Sequence, residues 1–364
     1  MPRADPFAVI ESETPQLADN EILQLMREHY GLKVKLETLL SERDQNIRLR
    51  CADGRQFVLK ITNAAEDPLA TDFQIEALLY LESYLESNDC PINVPRILRT
   101  VDGKTHISVA SSGERHVARV ATYVAGIPLG DTPASPVLSR RLGVYLAQLG
   151  RALHGFSHPG GEHHLLWDIQ QALELRRILE HVPDQDLRQG IAQTLDDFET
   201  YALPQFKDVR SQVIHSDFNP ENILIEADDC SRVAGVIDFG DMLKAPLIVD
   251  VAIGASYLRA LEGNPLARIA EFLSGYHSVM PLELSEIDML FDLIKTRLSA
   301  TISILSWRAS LRGADDPYLQ GGVASEGSAA KFLKILREMP RENARQTFRQ
   351  ICASVSPETM NNKD

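Results

Sequence analysis

Hydrophobic and polar positions divide this chain into two stretches of different character. Residues 15–30 place Leu17, Ile22, Leu25 and Met26 on one face, so a helix opens the pattern. Five short runs of β character follow, at 34–40, 46–51, 56–62, 106–110 and 116–124. Turn signals at Asp53-Gly54, Asp102-Gly103 and Ser112-Gly113 punctuate them. Between the third and fourth runs, Phe73, Ala77, Leu78, Leu81 and Leu85 recur at helical spacing and predict a helix over 71–87. The first third is thus an antiparallel sheet with one inserted helix.

Past Gly126-Ile-Pro128 the period turns helical. A helix over 136–156 carries Leu142, Tyr145, Leu146, Leu149 and Leu153, and further helices are expected at 168–182, 186–202, 247–262, 266–278, 283–311 and 328–353. A β-rich interlude at about 213–238 interrupts them. The expected architecture is α+β and bilobal: a small antiparallel β lobe over 1–123, a hinge around 122–126, and a larger, mainly helical lobe over 124–364.

The interlude carries the chemistry. It contains His215-Ser-Asp217 followed by Asn222, an apolar run, a turn rich in Asp, and Ile237-Asp238-Phe-Gly-Asp241. Phosphoryl transfer needs one carboxylate to orient the attacking hydroxyl and accept its proton. It also needs oxygen ligands for a divalent cation that neutralises the phosphates. Two strands joined by a short turn would bring Asn222 and Asp238 to one end of a hairpin, with Asp217 on the loop just before. The expectation is that all three converge where the two lobes meet.

This stretch resembles the aminoglycoside phosphotransferase family, whose relatives include choline, homoserine and hydroxylysine kinases and, more distantly, the protein kinases. The resemblance implies a protein-kinase-like fold and roles for particular residues. Asp217 would be the base, Asn222 and Asp238 magnesium ligands, and His215 a brace for the catalytic loop. Asp250, in Pro246-Leu-Ile-Val-Asp-Val-Ala, matches a family aspartate read as structural. Where the family often has glycine, this chain has Ser216, small enough to keep the loop working. Ser41-Glu-Arg-Asp-Gln-Asn46 and Leu166-Trp167-Asp168 resemble the hydroxylysine kinase branch, and that branch implies GTP as well as ATP as a possible donor.

A kinase-like reading makes further demands on the sheet lobe. Lys60, on the third run, is the expected cation for the phosphates. Glu76 of the following helix is its expected carboxylate partner, with Glu82 as the rival. The loop between the first two strands contains no glycine, so Ser41 and backbone N–H groups would approach the phosphates, helped by Arg43. Backbone groups of Thr122, Tyr123 and Val124 would hold the purine. On the helical side, Trp167, Asp168, Arg297, Trp307 and Arg308 are the acceptor candidates, because aromatic faces take ammonium groups and arginines clamp carboxylates. Core packing is the alternative for Trp307, and a surface salt bridge for either arginine.

Charge and cysteine usage narrow the class. The 364 residues carry 37 basic and 51 acidic side chains, a net charge of −14, which argues against nucleic acid or an anionic membrane as partner. The expected partners are a nucleotide and a small hydroxylated substrate. The 4 cysteines form no paired motif, the N-terminus lacks the apolar run of a signal peptide, and no stretch is long and apolar enough to span a bilayer. A cytoplasmic small-molecule kinase is the expectation. Choline/ethanolamine, homoserine and aminoglycoside kinases are the alternatives, as is a nucleotide-binding protein without catalysis. The sequence sets no oligomeric state.

Overall fold

The computed structural model of the chain describes residues 12, 14–111, 113–313 and 317–355, with side chains omitted over 317–325. The N-terminal residues read above for a signal peptide, and Ser112 of the third turn signal, lie outside the described residues. The chain divides into two compact units. One takes the described residues up to Ala125 together with Phe156–Leu165; the other takes Gly126–Gly155 and the described residues from Leu166 onward. A single boundary at residue 123/124 therefore misses one excursion. The 156–165 segment packs with the first unit, where Phe156 stacks on Phe73 and meets Tyr80 at a tilt. A side chain at Gly160 would collide with the Leu69 carbonyl.

In the first unit, α1 (Asp19–Tyr30) precedes β1 (Val34–Leu39), β2 (Gln45–Cys51) and β3 (Gln56–Ile61). Then come α2 (Pro68–Ser87), β4 (Ile97–Leu98), β5 (Ile107–Ser111) and β6 (Glu114–Thr122). The sheet runs β1-β2-β3-β6-β4, with β5 also on β6, and every pairing is antiparallel. Alternation explains it: Leu49, Leu59, Ile61 and Val120 point to one face and are completely buried against Ile22 and Met26 of α1. Each such side chain contributes about 1.5–3 kcal/mol by leaving water. Gly54 adopts φ 88 at the β2–β3 turn, which only glycine takes without strain.

In the second unit, β7 (Ile127–Pro128) leads to α3 (Pro136–Ala152), a 3-10 helix (Ile169–His181) and α4 (Gln185–Asp197). The four strands β8 (Ser211–Ile214), β9 (Ile223–Ile225), β10 (Val233–Val236) and β11 (Leu243–Pro246) form the interlude. Beyond them lie α5 (Leu247–Ser256), α6 (Ala267–Val279), α7 (Leu284–Arg312), α8 (Pro317–Arg337) and α9 (Arg341–Ser354). The helix expected over 328–353 is two helices, because Pro340 has no N–H to continue the first and instead opens the second. Helix α3 meets α6 through Gly143 and Gly275. A side chain at either would overlap a backbone carbonyl oxygen of the other helix, Phe272 or Arg140 respectively. Among the described residues no helix is long and apolar enough to cross a membrane.

Candidate active site

The second unit brings the motif residues together. Strands β9 and β10 pair antiparallel, with Val236 opposite Ile223. The Ile237 N–H then donates to the Asn222 carbonyl at 2.9 Å, so Asn222 and Asp238 end the same hairpin. Asn219 builds the preceding turn, its side-chain oxygen accepting from the Glu221 and Asn222 N–H groups. The Asn222 amide nitrogen donates to Asp217 twice, to its carboxylate at 2.6 Å and to its backbone carbonyl at 3.1 Å. That fixes the amide orientation and makes Oδ1 the atom through which Asn222 can ligate a cation. Asp238 is exposed and adopts φ 58, and its Oδ1 accepts from the Gly240 N–H at 3.1 Å.

His215 ties the two motifs to each other. It is fully buried, and its Nδ1 accepts from the Asp217 N–H at 3.2 Å. Its Nε2 therefore carries the proton and donates to the Ile237 carbonyl at 3.1 Å. Burial pushes its pKa down, in keeping with a neutral ring. Phe239 abuts the imidazole edge-on at 4.8 Å. One histidine thus links the loop that bears Asp217 to the turn that bears Asp238.

Asp250 on α5 anchors the loop from behind. Its two carboxylate oxygens accept from the His215 and Ser216 N–H groups at 3.1 and 2.9 Å. Ser216 sits at φ 64, the left-handed region where glycine is at ease, which gives the family's glycine a physical reason. Burial, reinforced by the charge of Asp241, pushes the Asp217 carboxyl up to about 7 against the opposing pull of Arg297.

Arg297 departs from expectation. Its guanidinium is almost wholly buried on α7 and is committed to Asp217, with Nη2 3.2 Å from Oδ1. Nη1 donates to the Trp167 carbonyl, Nη2 also to the Tyr257 hydroxyl, and the group lies over the Trp167 ring at 4.9 Å. It positions Asp217 and does not stand open as a carboxylate clamp. Asp168 is buried and caps the 3-10 helix by accepting from the Gln170 N–H. Trp307 and Arg308 are buried about 15 Å along α7 from Arg297, too far to share its neighbourhood.

The first unit holds a second polar cluster. Lys60 pairs with Asp44 at 3.1 Å, and Asp44 also accepts from the Asn63 N–H at 2.9 Å. Burial would raise the Asp44 carboxyl, but Lys60, Arg43 and the Asn63 N–H outweigh it and hold it below the usual carboxylate range. Glu76 is not the partner. It lies on the exposed stripe of α2, four residues from exposed Asp72, whereas the face that meets the sheet presents Gln74 to Arg119. The β2–β3 register sets Asn46 opposite Lys60, so Asp44, two residues earlier, shares that face. Counting back from the Asp53-Gly54 turn could have found it.

The phosphate-loop and hinge candidates are partly engaged within the protein. The Ser41 hydroxyl accepts from the Asp44 N–H at 3.2 Å, and Arg43 is buried against Glu66 at 3.7 Å. At the hinge, the Thr122 N–H donates to the Arg96 carbonyl and the Tyr123 N–H to that of Gln56, so neither offers its N–H to a purine. Val124 is buried beside them.

A two-stranded β hairpin with an Asp-Asn loop at its mouth, a small antiparallel sheet on which buried Asp44 pairs with half-buried Lys60, and a mainly helical second unit define an α+β, protein-kinase-like small-molecule phosphotransferase. The chain belongs to the phosphotransferase enzyme family, whose model matches residues 35–282. It is therefore a phosphotransferase acting on a hydroxyl acceptor. It is 28% identical to hydroxylysine kinase of Xenopus laevis over 92% of this chain and 94% of that protein. With hydroxylysine kinase of Mus musculus it shares 24% identity over 95% and 96%. Among solved structures, a microcompartment-associated aminopropanol kinase superposes with a TM-score of 0.68 at 17% identity, covering 90% of this chain and all of the other. An amicoumacin kinase in complex with AMP-PNP, Ca2+ and Ami gives a TM-score of 0.65 at 17% identity, over 89% and 95%.

Proposed function

We propose that this protein transfers the γ-phosphoryl group of ATP or GTP to the hydroxyl of a small amino acid or amine of the hydroxylysine type, with Asp217 as general base. The observation that carries the reading is the arrangement of Asp217, Asn222 and Asp238 about the buried His215. The curated relatives named hydroxylysine kinase, matched over nearly their whole length, support the acceptor class. A solved neighbour in complex with AMP-PNP and Ca2+ supports a nucleotide donor with a divalent cation.

The residues present fit Mg2+. The donor set is an amide oxygen and a carboxylate, both hard oxygen ligands. Among the described residues no group of three or more His, Cys, Asp and Glu side chains could hold a metal on its own. A cation here would take the rest of its shell from phosphate and water, which is the habit of Mg2+ in kinases. Asn222 through Oδ1 and Asp238 would hold it, and it would supply charge neutralisation on the phosphates.

The protein's own groups do the rest. Asp217, brought near neutrality by burial, takes the proton of the acceptor hydroxyl, and a base whose pKa lies near the working pH does so most effectively. Arg297 and the Asn222 amide fix where its two oxygens point. His215 keeps the loop and the Asp238 turn in register. Lys60, steered by Asp44, supplies the cation for the phosphates; Ser41 and its loop lie near that pair. With the Thr122 and Tyr123 N–H groups engaged, recognition of the purine falls to Val124 and the residues after it.

The test is an acceptor panel of 5-hydroxylysine, choline, ethanolamine, homoserine and an aminoglycoside, each assayed with ATP and with GTP. We expect turnover of 5-hydroxylysine, and we expect Asp217→Asn to lower kcat by about 10²–10⁴ while nucleotide affinity stays within a few-fold. Near-normal turnover by Asp217→Asn would refute the role of Asp217. Turnover of aminoglycosides alone would refute the acceptor class.

A further inference from the structure

Helix α5 reaches Asp217 by two routes. Asp250, inside the helix, holds the loop backbone through the His215 and Ser216 N–H groups. Tyr257 continues the last turn, its N–H donating to the Gly254 carbonyl at 3.3 Å, and its side chain is half-buried. The Tyr257 hydroxyl lies 3.3 Å from Arg297 Nη2, the same nitrogen that stands 3.2 Å from Asp217 Oδ1. A guanidinium accepts no hydrogen bond, so the hydroxyl is the acceptor. One planar nitrogen thus serves two oxygens, and the hydrogen given to Tyr257 fixes the direction of the hydrogen given to Asp217.

The rest of the guanidinium has little freedom. Arg297 is 1% exposed, Nη1 donates to the Trp167 carbonyl at 3.2 Å, and the group lies over the Trp167 ring at 4.9 Å. A guanidinium beside a carboxylate ordinarily closes on it as a fork, two nitrogens on two oxygens. Here the pairing is single, because the Asn222 amide holds Asp217 Oδ2 at 2.6 Å, while Tyr257 and Trp167 take the other hydrogen bonds of the guanidinium.

We propose that Tyr257 is a positioning residue for phosphoryl transfer: its hydroxyl sets the angle of Arg297, and Arg297 sets the orientation of the Asp217 carboxylate. The inference rests on the reading of Asp217 as general base. The Asn222 amide fixes Oδ2 alone. Without an equally fixed partner on Oδ1, the carboxylate turns about its Cβ–Cγ bond and the acceptor hydroxyl meets a base that moves. A misplacement of about 1 Å in such a contact costs up to about 10²-fold in rate. Tyr257 acts through Arg297 and need touch neither nucleotide nor acceptor.

Two other roles compete: direct contact with the acceptor, and packing at the end of α5. Tyr257→Phe separates them, since it keeps the ring and removes one oxygen. With the acceptor that the panel identifies, we expect kcat to fall about 10-fold, the worth of one hydrogen bond to a charged group. Calorimetric affinities for that acceptor and for a non-hydrolysable ATP analogue with Mg2+ should stay within about twofold, the signature of an interaction felt only in the transition state. The urea midpoint read by tryptophan fluorescence should stay at the wild-type value. Adding Tyr257→Phe to Asp217→Asn, or to Arg297→Met, should change kcat less than about twofold, because the hydroxyl then has no base or no guanidinium to orient. An unchanged kcat in Tyr257→Phe beside a severe loss in Asp217→Asn overturns the positioning role alone. So does weakened acceptor binding as the main effect, a lowered urea midpoint that accounts for the lost activity, or full additivity with Asp217→Asn. Near-normal turnover by Asp217→Asn instead refutes the base itself, and the positioning role with it.

Discussion

Replacing Asp250 by alanine tests how the site is held. The Asp250 carboxylate is 5% exposed and takes two backbone N–H groups, those of His215 and Ser216. Removing it strands two buried donors at about 1–3 kcal/mol each, a gross cost of about 2–6 kcal/mol. Part is recovered, because burial pushes the Asp250 carboxyl up and so already penalises its charged form. We expect a net loss of about 3 kcal/mol, taking the middle of that range less the recovered part. Both tryptophans, Trp167 and Trp307, belong to the second unit, so fluorescence-monitored urea unfolding reads that unit alone. The Ser216 backbone at φ 64 gives a second handle. Without the carboxylate, the left-handed turn rests on serine, at about 1–2 kcal/mol. Adding Ser216→Gly to Asp250→Ala should therefore restore about 1 kcal/mol and part of the phosphotransferase activity. If Asp250→Ala lies within about 0.5 kcal/mol of wild type, the two N–H bonds contribute nothing of the kind claimed here.

Two further perturbations probe each unit separately. Gly143→Ala should destabilise the second unit by about 1–3 kcal/mol or more, because its Cβ meets the Phe272 backbone carbonyl, which no rotamer change can move aside; a tryptophan-fluorescence midpoint equal to wild type would show that α3 and α6 separate freely. Asp44→Asn should cost the first unit about 2–3 kcal/mol at pH 7 by removing the buried carboxylate charge 3.1 Å from Lys60. The folded Asp44 carboxyl lies below its unfolded value, so its contribution is complete above about pH 4 and disappears as the pH falls through the lower folded value. The gap between wild type and Asp44→Asn should therefore close in acid, and a gap unchanged from pH 8 to pH 3 in circular-dichroism melts counts against the pair.

Local pattern carried far along this chain. Alternation in 46–51 and 56–62 and the Asp53-Gly54 turn specify a hairpin, because side-chain period and turn geometry are set by the few residues involved. The same holds for β9 and β10, whose pairing puts Asn222 beside Ile237 and makes Asp217, Asn222 and Asp238 legible as one group. Helix ends were less legible: α5 stops at Ser256, and Pro340 divides α8 from α9.

Contacts between distant segments were decided only by the tertiary structure. Glu76 looked able to reach Lys60, yet the rotation of α2 on the sheet turned it outward, and Lys60 pairs with Asp44. Arg297, 80 residues from Asp217, is drawn to it because a buried guanidinium must be paired. Asp250 finds two backbone donors, 34 and 35 residues earlier, that nothing in its own neighbourhood announces. The sequence by itself determined the local elements and the candidate motif, since both are written within a few residues. Which charge answers which was settled by packing, since burial forces each charge to find a partner wherever the fold supplies one.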